Sequence, residues 1–410
     1  MARTLAELPK GSRITDHISL GVIAKTFPVE RVKAILVETG RASRRQRELP
    51  GHVVVYYVIA LALYMQVSYG EVLRVLLEGI RWLVGRKRSV KVTGRSGISR
   101  ARKRVGWEPV KRLHDEVVRP IAVRQGERKT KGAWYRTWHV VSLDGSTLDV
   151  ADTSANAKAF GRPGASRGES AYPQIRFLSL LENGTHVLYG TEMDGCQTGE
   201  ATLAQTVIAH LKAGDLCVAD RNFFSYDLWC KAQATRADLL WRMKINAVLP
   251  RLKELPDGSY LSQIYPSDKD RRHNTRGVWV RVIEYTLEGV PDAEPIYRLI
   301  TTILDPNEAP AAELAALYHE RWEIENALDE FKTHLRGRQI VLRSKRPDLV
   351  RQEFYGLLLA HFAIRGLMHE AALQADEDPD RLSFTHTVNV VRRKLPLFVA
   401  IPPSGKASLS

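Results

Sequence analysis

The sequence has 410 residues, of which 44% are apolar and 26% charged, and its formal net charge is +15 at pH 7. This length predicts two or three domains with a sizeable core, and the composition excludes a disordered or fibrous chain. The three cysteines, Cys196, Cys217 and Cys230, contain no C-x-x-C pair, which excludes a disulfide framework or a zinc ribbon and favours a reducing compartment.

The N-terminus carries no apolar stretch typical of a secretory signal. The longest apolar run, residues 53–65, is shorter than the roughly 20 residues that span a bilayer. Because Pro50 precedes this run, we interpret it as a buried helix. We therefore expect a cytoplasmic protein with no membrane partner.

The positive charge is concentrated in the first part of the chain. Residues 1–130 contain 27 Lys and Arg against 11 Asp and Glu, whereas the rest of the chain is close to neutral. Clustered cations neutralise phosphates and release counterions, so a basic module attached to a neutral one is typical of a nucleic-acid-binding protein. A solvated basic surface explains the same composition equally well.

The periodicity of residues 12–124 is helical, with a capping box at Ser68 and Glu71. We predict an all-helical first domain. Its cations are concentrated at residues 44–47, 86–88 and 100–104. In the last group Ile98, Ala101 and Val105 form one apolar stripe, and four cations cover the remaining surface of a basic helix that is a candidate DNA contact: Arg100, Arg102, Lys103 and Arg104.

From residue 131 onward the pattern alternates. Apolar runs predict strands at 140–143, 174–181 and 186–189, with a two-residue hairpin turn at Asn183-Gly184. A helix at 200–211, a strand at 216–219, a helix at 225–234 and a possible strand at 238–243 follow. Residues 245–304 predict a β-rich insertion, and helices return at 309–335 and 353–374.

The order is therefore β-β-β-α-β-α, followed by the insertion and the last helices. We expect five segments: a helical DNA-binding domain at 1–130, an α/β core at 131–244, the β-rich insertion at 245–304, the rest of the core at 305–395, and a disordered tail at 396–410.

Three acidic residues stand at positions where a site is expected. Asp144 and Asp220 each end a predicted strand, and Glu325 lies in the helix after the insertion. Strand ends face the crevice where open α/β sheets place their sites. Converging carboxylates need a cation, and oxygen ligands select Mg²⁺ or Mn²⁺. Asp149 and Asp152 compete with Asp144, but Asp149 would face the opposite side of the strand and Asp152 lies in a predicted turn.

The helix that carries Glu325 supports this choice. At about 100° per residue, Tyr318, Arg321, Glu325 and Lys332 fall within an arc of about 60°. The neighbouring Glu323 falls on the far side. The apolar stripe beside the polar arc consists of Ile324, Leu328, Phe331 and Leu335. The alternative, an exposed ion pair of Arg321 with Glu325, does not explain the other two residues.

This row resembles the Tyr-Arg-Glu-Lys signature of DDE transposases of the bacterial IS-four insertion-sequence family. The stretches around Asp144 (Leu-Asp-Gly-Ser-Thr) and Asp220 (Ala-Asp-Arg-Asn-Phe-Phe-Ser) look like the first and second Asp motifs of that family. Residues 14–17 and 93–99 are similar to its N-terminal domain. The resemblance covers roughly residues 12–395.

The resemblance implies an α/β chain with an RNase H-like catalytic core and a β-rich insertion, preceded by the helical DNA-binding domain. It implies that Asp144, Asp220 and Glu325 bind two Mg²⁺ ions, with Mn²⁺ as a substitute. Tyr318, Arg321 and Lys332 would contact DNA phosphates, and Trp279 of the insertion is a candidate for stacking on an unpaired base.

The implied function is cut-and-paste DNA transposition by two-metal phosphoryl transfer. Its substrates would be terminal inverted repeats and target DNA, handled by a homodimer in the DNA complex and acting at the bacterial nucleoid. Two alternatives stay open. The chain could be a catalytically silent repeat-binding regulator, or a metal-dependent nuclease with the same core.

Overall fold

The computed structural model describes residues 23–43, 49–83, 94–125, 128–165, 168–287, 294–337 and 341–393. Several expectations fall outside these ranges: the motif at 14–17, the basic groups at 44–47 and 86–88, Thr93, and the tail at 396–410.

The first part of the described chain is helical, as predicted. Pro50 precedes the apolar helix α2, and the Ser68 hydroxyl accepts a hydrogen bond from the Glu71 backbone N–H at 3.3 Å. The apolar run 53–65 is thus a buried helix. The helices are α1 (Val29–Glu38), α2 (Gly51–Leu63), α3 (Tyr69–Leu83), α4 (Arg95–Val105) and α5 (Glu108–Val117).

A long helix, α12 (Pro347–Ala375), joins this helical region to the rest of the chain. Gly356 of α12 packs so closely on α2 that a side chain at this position would lie 2.9 Å from the Val58 carbonyl oxygen. Arg102 of α4 is buried and donates to Gln352 Oε1 at 2.8 Å and to Ser344 Oγ at 3.1 Å. The two regions therefore share one hydrophobic core.

The second region is built on a mixed sheet. Its first five long strands are β1 (Trp138–Asp149), β2 (Gln174–Glu182), β3 (Val187–Gly195), β4 (Asp215–Ala219) and β5 (Asp238–Arg242). They lie in the order β3-β2-β1-β4-β5, and β1, β4 and β5 are parallel while β2 is antiparallel to both neighbours. This arrangement confirms the predicted RNase H-like core.

Helices cover both faces of the sheet. Alternate residues of β4 divide between two apolar clusters, Leu216 and Val218 on one face and Cys217 and Ala219 on the other. The other elements of this region are α6 (Ser154–Phe160), α7 (Glu200–Val207), α8 (Tyr226–Gln233), α9 (Asp268–His273), α10 (Ala311–His319), α11 (Trp322–Asp329) and, after α12, α13 (Phe384–Arg393).

The β-rich residues 245–304 extend the core sheet. Their long strands are β6 (Tyr260–Ile264), β7 (Val278–Tyr285) and β8 (Tyr297–Thr301), and a short strand, Lys253–Glu254, pairs with β6. β8 pairs with β5, where Ile300 lies opposite Trp241. Short strands at Trp134–Tyr135, Arg124–Gln125, Arg128–Lys129, Gly164–Ala165 and Gly168–Glu169 complete the described sheets. The proposed segment boundaries remain predictions.

Two local expectations are wrong. The turn between β2 and β3 has four residues, 183–186, because Glu182 pairs with Val187, and Gly184 and His186 have positive φ values of 77° and 57°. The predicted helix 309–335 is interrupted at Glu320 and Arg321, and it ends in a π-helical turn, Glu330–Leu335.

Candidate active site

Asp144 and Asp220 lie side by side where the pairing of β1 with β4 ends. Asp220 directly follows β4, but Asp144 lies within β1, which continues to Asp149 in pairing with β2, so the prediction that Asp144 ends its strand is wrong. β1 and β4 are parallel, and Leu143 lies opposite Ala219, so the next residue on each strand reaches the same level. Asp144 accepts a hydrogen bond from the Gly145 N–H, and Asp220 accepts one from the Arg221 N–H, both at 2.7 Å. The second oxygen of Asp220 accepts a hydrogen bond from the Asn222 side-chain amide at 3.4 Å.

Arg321, in the break between α10 and α11, connects these aspartates to the third predicted acid. Its guanidinium lies 3.6 Å from Asp144 Oδ2 and donates to Glu325 Oε1 at 3.1 Å. Asp220 is close enough for its charge to act on Arg321 as well. Arg321 thus contacts Asp144 and Glu325 and feels the charge of Asp220, although the ligand oxygens of the three acids do not all lie within 4.8 Å of one another. These four residues are called the strand-end pocket below.

The pocket has an excess of negative charge. Burial, together with the charges of Glu200 and Asp220, raises the pKa of Asp144 to about 6, although the Gly145 N–H and Arg321 oppose the shift. A single arginine therefore leaves the carboxylates incompletely neutralised. Crowded carboxylate oxygens of this kind fit a hard divalent cation, which favours oxygen ligands.

Tyr318 and Lys332 lie beside the pocket. Lys332 Nζ donates to the Ser146 hydroxyl at 2.7 Å, two residues beyond Asp144 on β1. Tyr318 is buried at the end of α10, and its hydroxyl has no hydrogen-bond partner among the described residues. Burial raises the pKa of this phenol, which therefore stays protonated and can donate a hydrogen bond. A lysine and an unsatisfied hydroxyl next to the carboxylates suit an anionic ligand.

The competing acids lie elsewhere. Glu323 points to the back of α11, where it accepts a hydrogen bond from the Gly184 N–H at 2.6 Å and where burial and Asp380 raise its pKa to about 8. Asp149 accepts a hydrogen bond from Gln174 at 2.7 Å, and Asp152 is paired with Arg162. None of these three acids forms an ion pair with Arg321.

The cations of the basic helix α4 lie partly on the protein surface and partly in contact with neighbouring segments. Arg100 and Lys103 are exposed. Arg102 is buried against α12, and Arg104 donates to the Leu49 carbonyl oxygen at 2.7 Å. The expectation that all four cations cover a free surface is therefore wrong, because the apolar stripe of α4 is wide enough to bring Arg102 into the core with it.

Trp279 is 46% exposed, but it lies far from the strand-end pocket. Through the registers of β4, β5, β8 and β7, Asp220 falls level with Ile283. Trp279 is four residues earlier on β7, which is roughly 13 Å back along the strand direction. The structure therefore does not bring Trp279 together with the three carboxylates.

Two further residues at the pocket were not singled out from the sequence. Glu200, at the start of α7, acts on Asp144 through its charge. Trp322 is 59% exposed, and the Arg321 guanidinium lies 5.9 Å from the centroid of its ring. An apolar aromatic residue directly after Arg321, on the polar side of the helix, was the available signal for Trp322.

Comparison with known proteins identifies the family. Residues 139–363, more than half of the chain, match the family described as "Transposase DDE domain", and residues 17–115 match "Insertion element 4 transposase N-terminal". This chain belongs to the IS4 family of DDE transposases. A DDE transposase binds and cleaves DNA and uses a divalent metal ion, so the predicted family and function are confirmed at this level.

A curated relative among the IS4-family proteins is the transposase InsG for insertion sequence element IS4 of Escherichia coli K12. It is 26% identical over 384 residues, which are 89% of this chain and 80% of InsG. A solved structure, the piggyBac transposase synaptic complex with hairpin DNA, aligns with a TM-score of 0.47 and 11% identity over 97% of this chain and 84% of that one.

Among the described residues, no helix has both the length and the apolar character needed to cross a membrane.

Proposed function

We propose that this transposase cuts and joins DNA with Asp144, Asp220 and Glu325 as its catalytic, metal-binding residues. The observation that carries the proposal is the position of Arg321, which lies within 3.6 Å of both Asp144 and Glu325 and close to Asp220. Asp144 lies on β1, Asp220 directly follows β4 and Glu325 lies on α11, so a shared site of the three acids depends on the tertiary fold.

Mg²⁺ is the proposed cofactor, with Mn²⁺ as a substitute, because all candidate ligands are carboxylate oxygens. Two ions bound there would supply Lewis-acid stabilisation of the phosphoryl group and a more acidic water or hydroxyl nucleophile. Arg321 and Lys332 cannot ligate a metal, but they can neutralise the charge that builds up on the phosphate oxygens. Tyr318 can donate its free hydroxyl to the same phosphate.

The proposed DNA substrates are the terminal inverted repeats of the element and a target duplex. A cleft of about 460 Å³ at the junction of α4 and α12 supports this, because Lys103, Arg343, Lys345 and Arg346 line it. Arg343 lies over the Tyr69 ring at 4.7 Å, and its Nε has no hydrogen-bond partner among the described residues. These cations suit a DNA backbone.

Two copies of the chain are proposed to act together, because two element ends must meet before strand transfer. The reaction would take place in the bacterial cytoplasm, at the nucleoid where the substrate lies.

The test is cleavage of terminal-repeat DNA with Mg²⁺ by the variants Asp144→Ala, Asp220→Ala and Glu325→Gln. Each should lose at least about 10³-fold in rate, or ~4 kcal/mol of transition-state stabilisation, while DNA binding is retained. Asp152→Asn is the control, since Asp152 is a nearby acid that pairs with Arg162 outside the pocket. Normal cleavage by any of the three variants would show that the residues are misassigned.

A further inference from the structure

A second group of potential metal ligands lies on the back of α11. His186 Nε2 is 3.0 Å from Asp380 Oδ1 and 3.9 Å from Glu323 Oε2. Each of these three residues offers one potential ligand atom, and the three atoms all lie within 4.8 Å of one another. Among the described residues, no other His, Cys, Asp and Glu side chains form such a group. His186, Glu323 and Asp380 are called the helix-back cluster below.

The histidine supplies evidence that acidic residues alone would not. His186 is 4% exposed, and its Nε2 forms no hydrogen bond although Asp380 Oδ1 lies 3.0 Å away. A buried imidazole nitrogen that faces two carboxylates without a hydrogen bond is costly in a protein interior. A bound cation would satisfy it, since neutral imidazole is a common metal ligand.

The charges around the cluster also favour a dication. The nearby carboxylates are Glu323, Asp380, Glu330, Asp378 and Glu320. A nearby cation is Arg365, which donates to both oxygens of Glu330 at 2.7 and 2.9 Å. Burial and the excess of carboxylates raise the pKa of Glu323 to about 8, and a divalent ion would displace that proton and offset the excess negative charge.

Glu330 is placed to orient the imidazole. Its Oε1 lies 3.5 Å from His186 Nδ1, the nitrogen that must carry the ring proton when Nε2 binds a metal. A carboxylate behind a metal-binding histidine is a recurrent arrangement that fixes the tautomer. Arg365 also contacts Nδ1, so its guanidinium would have to turn fully toward Glu330 when the ion binds.

A cleft of about 330 Å³ gives access to the site, and His186, Glu330, Asp380, Asn326 and His334 are among its lining residues. We propose that His186, Glu323 and Asp380 bind one transition-metal dication, Zn²⁺ or Mn²⁺. One nitrogen and two oxygen donors favour such an ion over Mg²⁺, which prefers oxygen ligands alone. The remaining ligand position would be left to water from the cleft, which His186 and Asp380 line.

The site would have a structural role. His186 comes from the turn between β2 and β3, Glu323 from α11, and Asp380 from the 3₁₀ turn Pro379–Arg381 after α12. A single ion would join these three segments on the side of α11 opposite to the strand-end pocket. The proposal does not depend on the assignment of Asp144, Asp220 and Glu325, because the two sites share no residue.

The test uses the full chain carrying Asp144→Asn, Asp220→Asn and Glu325→Gln, so that the strand-end pocket cannot hold metal tightly. This protein is loaded with Zn²⁺, freed of excess ion by gel filtration and analysed for bound metal. We expect about one Zn²⁺ per chain and a rise in the melting temperature at saturating Zn²⁺, since the ion binds the folded state. A chain that retains no Zn²⁺ would overturn the proposal.

Two further variants in that background locate the ion. Asp380→Asn changes a partly exposed side chain and should weaken Zn²⁺ binding at least tenfold, with loss of the thermal shift. Asp376→Asn is the matched control in the same segment, because its side chain is 97% exposed, and it should bind Zn²⁺ as the parent does. Equal affinity in Asp380→Asn and its parent would exclude the site.

Loading with Co²⁺ reports on the donors directly. The visible absorption of bound Co²⁺ should match mixed nitrogen and oxygen coordination in the parent, and His186→Gln should change or abolish it. If His186→Gln fails to fold, the comparison of Asp380→Asn with Asp376→Asn still decides the question. A spectrum of oxygen-only coordination in the parent would contradict the proposal.

Discussion

The strand-end pocket and the helix-back cluster lie on opposite sides of α11, but the chain assembles them differently. Asp144 and Asp220 lie where two neighbouring strands of a regular sheet stop pairing with each other. His186 and Asp380, in contrast, come from a turn and a short 3₁₀ segment. The pocket offers only oxygen ligands, and the cluster adds a nitrogen. In a sheet, backbone hydrogen bonds between strands fix the positions of the ligands. In a turn, the positions of the ligands depend on the side-chain contacts that hold the turn in place.

The main anchor of that turn is Glu182. Its buried carboxylate accepts hydrogen bonds from the Ile121 and Ala122 N–H groups at 2.7 and 3.0 Å, from Thr185 at 2.6 Å, and contacts His139 Nε2 at 2.8 Å. Glu182→Gln should lower the free energy of unfolding by about 3–5 kcal/mol, because an amide cannot accept all of these bonds.

This largest effect is measured by urea unfolding monitored by circular dichroism. Glu192→Gln on β3 is the control, because Glu192 is partly exposed and paired with Lys111, and it should cost no more than about 1 kcal/mol. Similar losses in the two variants would mean that Glu182 is not the anchor. Glu182→Gln should also retain less Zn²⁺, because a turn that is less well ordered holds His186 less firmly in the helix-back cluster.

Arg321→Ala tests the pocket. If Arg321 neutralises the reacting phosphate as proposed, DNA cleavage should fall about 10²-fold when this cation is lost. The Mg²⁺ concentration for half-maximal cleavage should not rise, since removing Arg321 frees the carboxylates of Asp144 and Glu325.

Both quantities come from a titration of cleavage rate against Mg²⁺. Arg271→Ala, which removes an arginine paired with Asp268 on the surface of α9, is the control. A higher Mg²⁺ requirement in Arg321→Ala would show that Arg321 orders the metal ligands instead of contacting phosphate.

His139, which contacts Glu182 before the turn between β2 and β3, should make the free energy of unfolding depend on pH. Its burial lowers its pKa, but hydrogen bonds to Asp215 and Glu182 outweigh burial and raise the pKa to about 9. The unfolded value is about 6.5, so the folded chain holds an extra proton between these pH values. This stabilisation is complete below about pH 6.5 and is lost as the pH rises toward 9, by at most about 1.4 kcal/mol per pH unit.

Urea unfolding between pH 6 and pH 10 measures this contribution. His139→Gln, which cannot titrate, should show a flatter profile over the same range. A profile equally steep in the variant would assign the pH dependence to other groups.

Tyr318→Phe should have the smallest effect. Its hydroxyl has no partner among the described residues, so the free energy of unfolding should stay the same or rise by up to about 1 kcal/mol. Cleavage should fall about tenfold if the hydroxyl binds phosphate, as measured by single-turnover kinetics. A loss of stability without a loss of cleavage would assign Tyr318 a packing role instead.

The same contrast explains which features could be predicted from the sequence. Buried apolar runs ending at Leu143 and Ala219 predict strands, and the acids that follow them were expected at strand ends that face a crevice. The register places Asp144 beside Asp220, but β1 continues to Asp149 instead of ending before Asp144. The angular row containing Arg321 and Glu325 was predicted from helical periodicity, although the helix is interrupted at Arg321 itself.

Features that depend on tertiary contacts were not accessible in this way. Periodicity does not reveal that Asp380 returns to His186, nor that Arg102 is buried by α12. Trp279 was named as a candidate for stacking on an unpaired base, but its distance from Asp220 follows from the registers of four strands, which no local pattern encodes. Pairing partners of edge strands are chosen by the whole sheet.

The close contact of Gly356 with Val58 has a consequence for how such elements evolve. The backbone of α12 at Gly356 packs directly on Val58 of α2. If either region were removed, the apolar surface of the other would therefore be exposed to water. A chimaera that takes its first 130 residues from a distant relative would therefore need to inherit a compatible C-terminal helix too. If the first 130 residues bind the element ends, recognition of new ends is expected to arise by substitution at surface positions, in preference to exchange of the whole region.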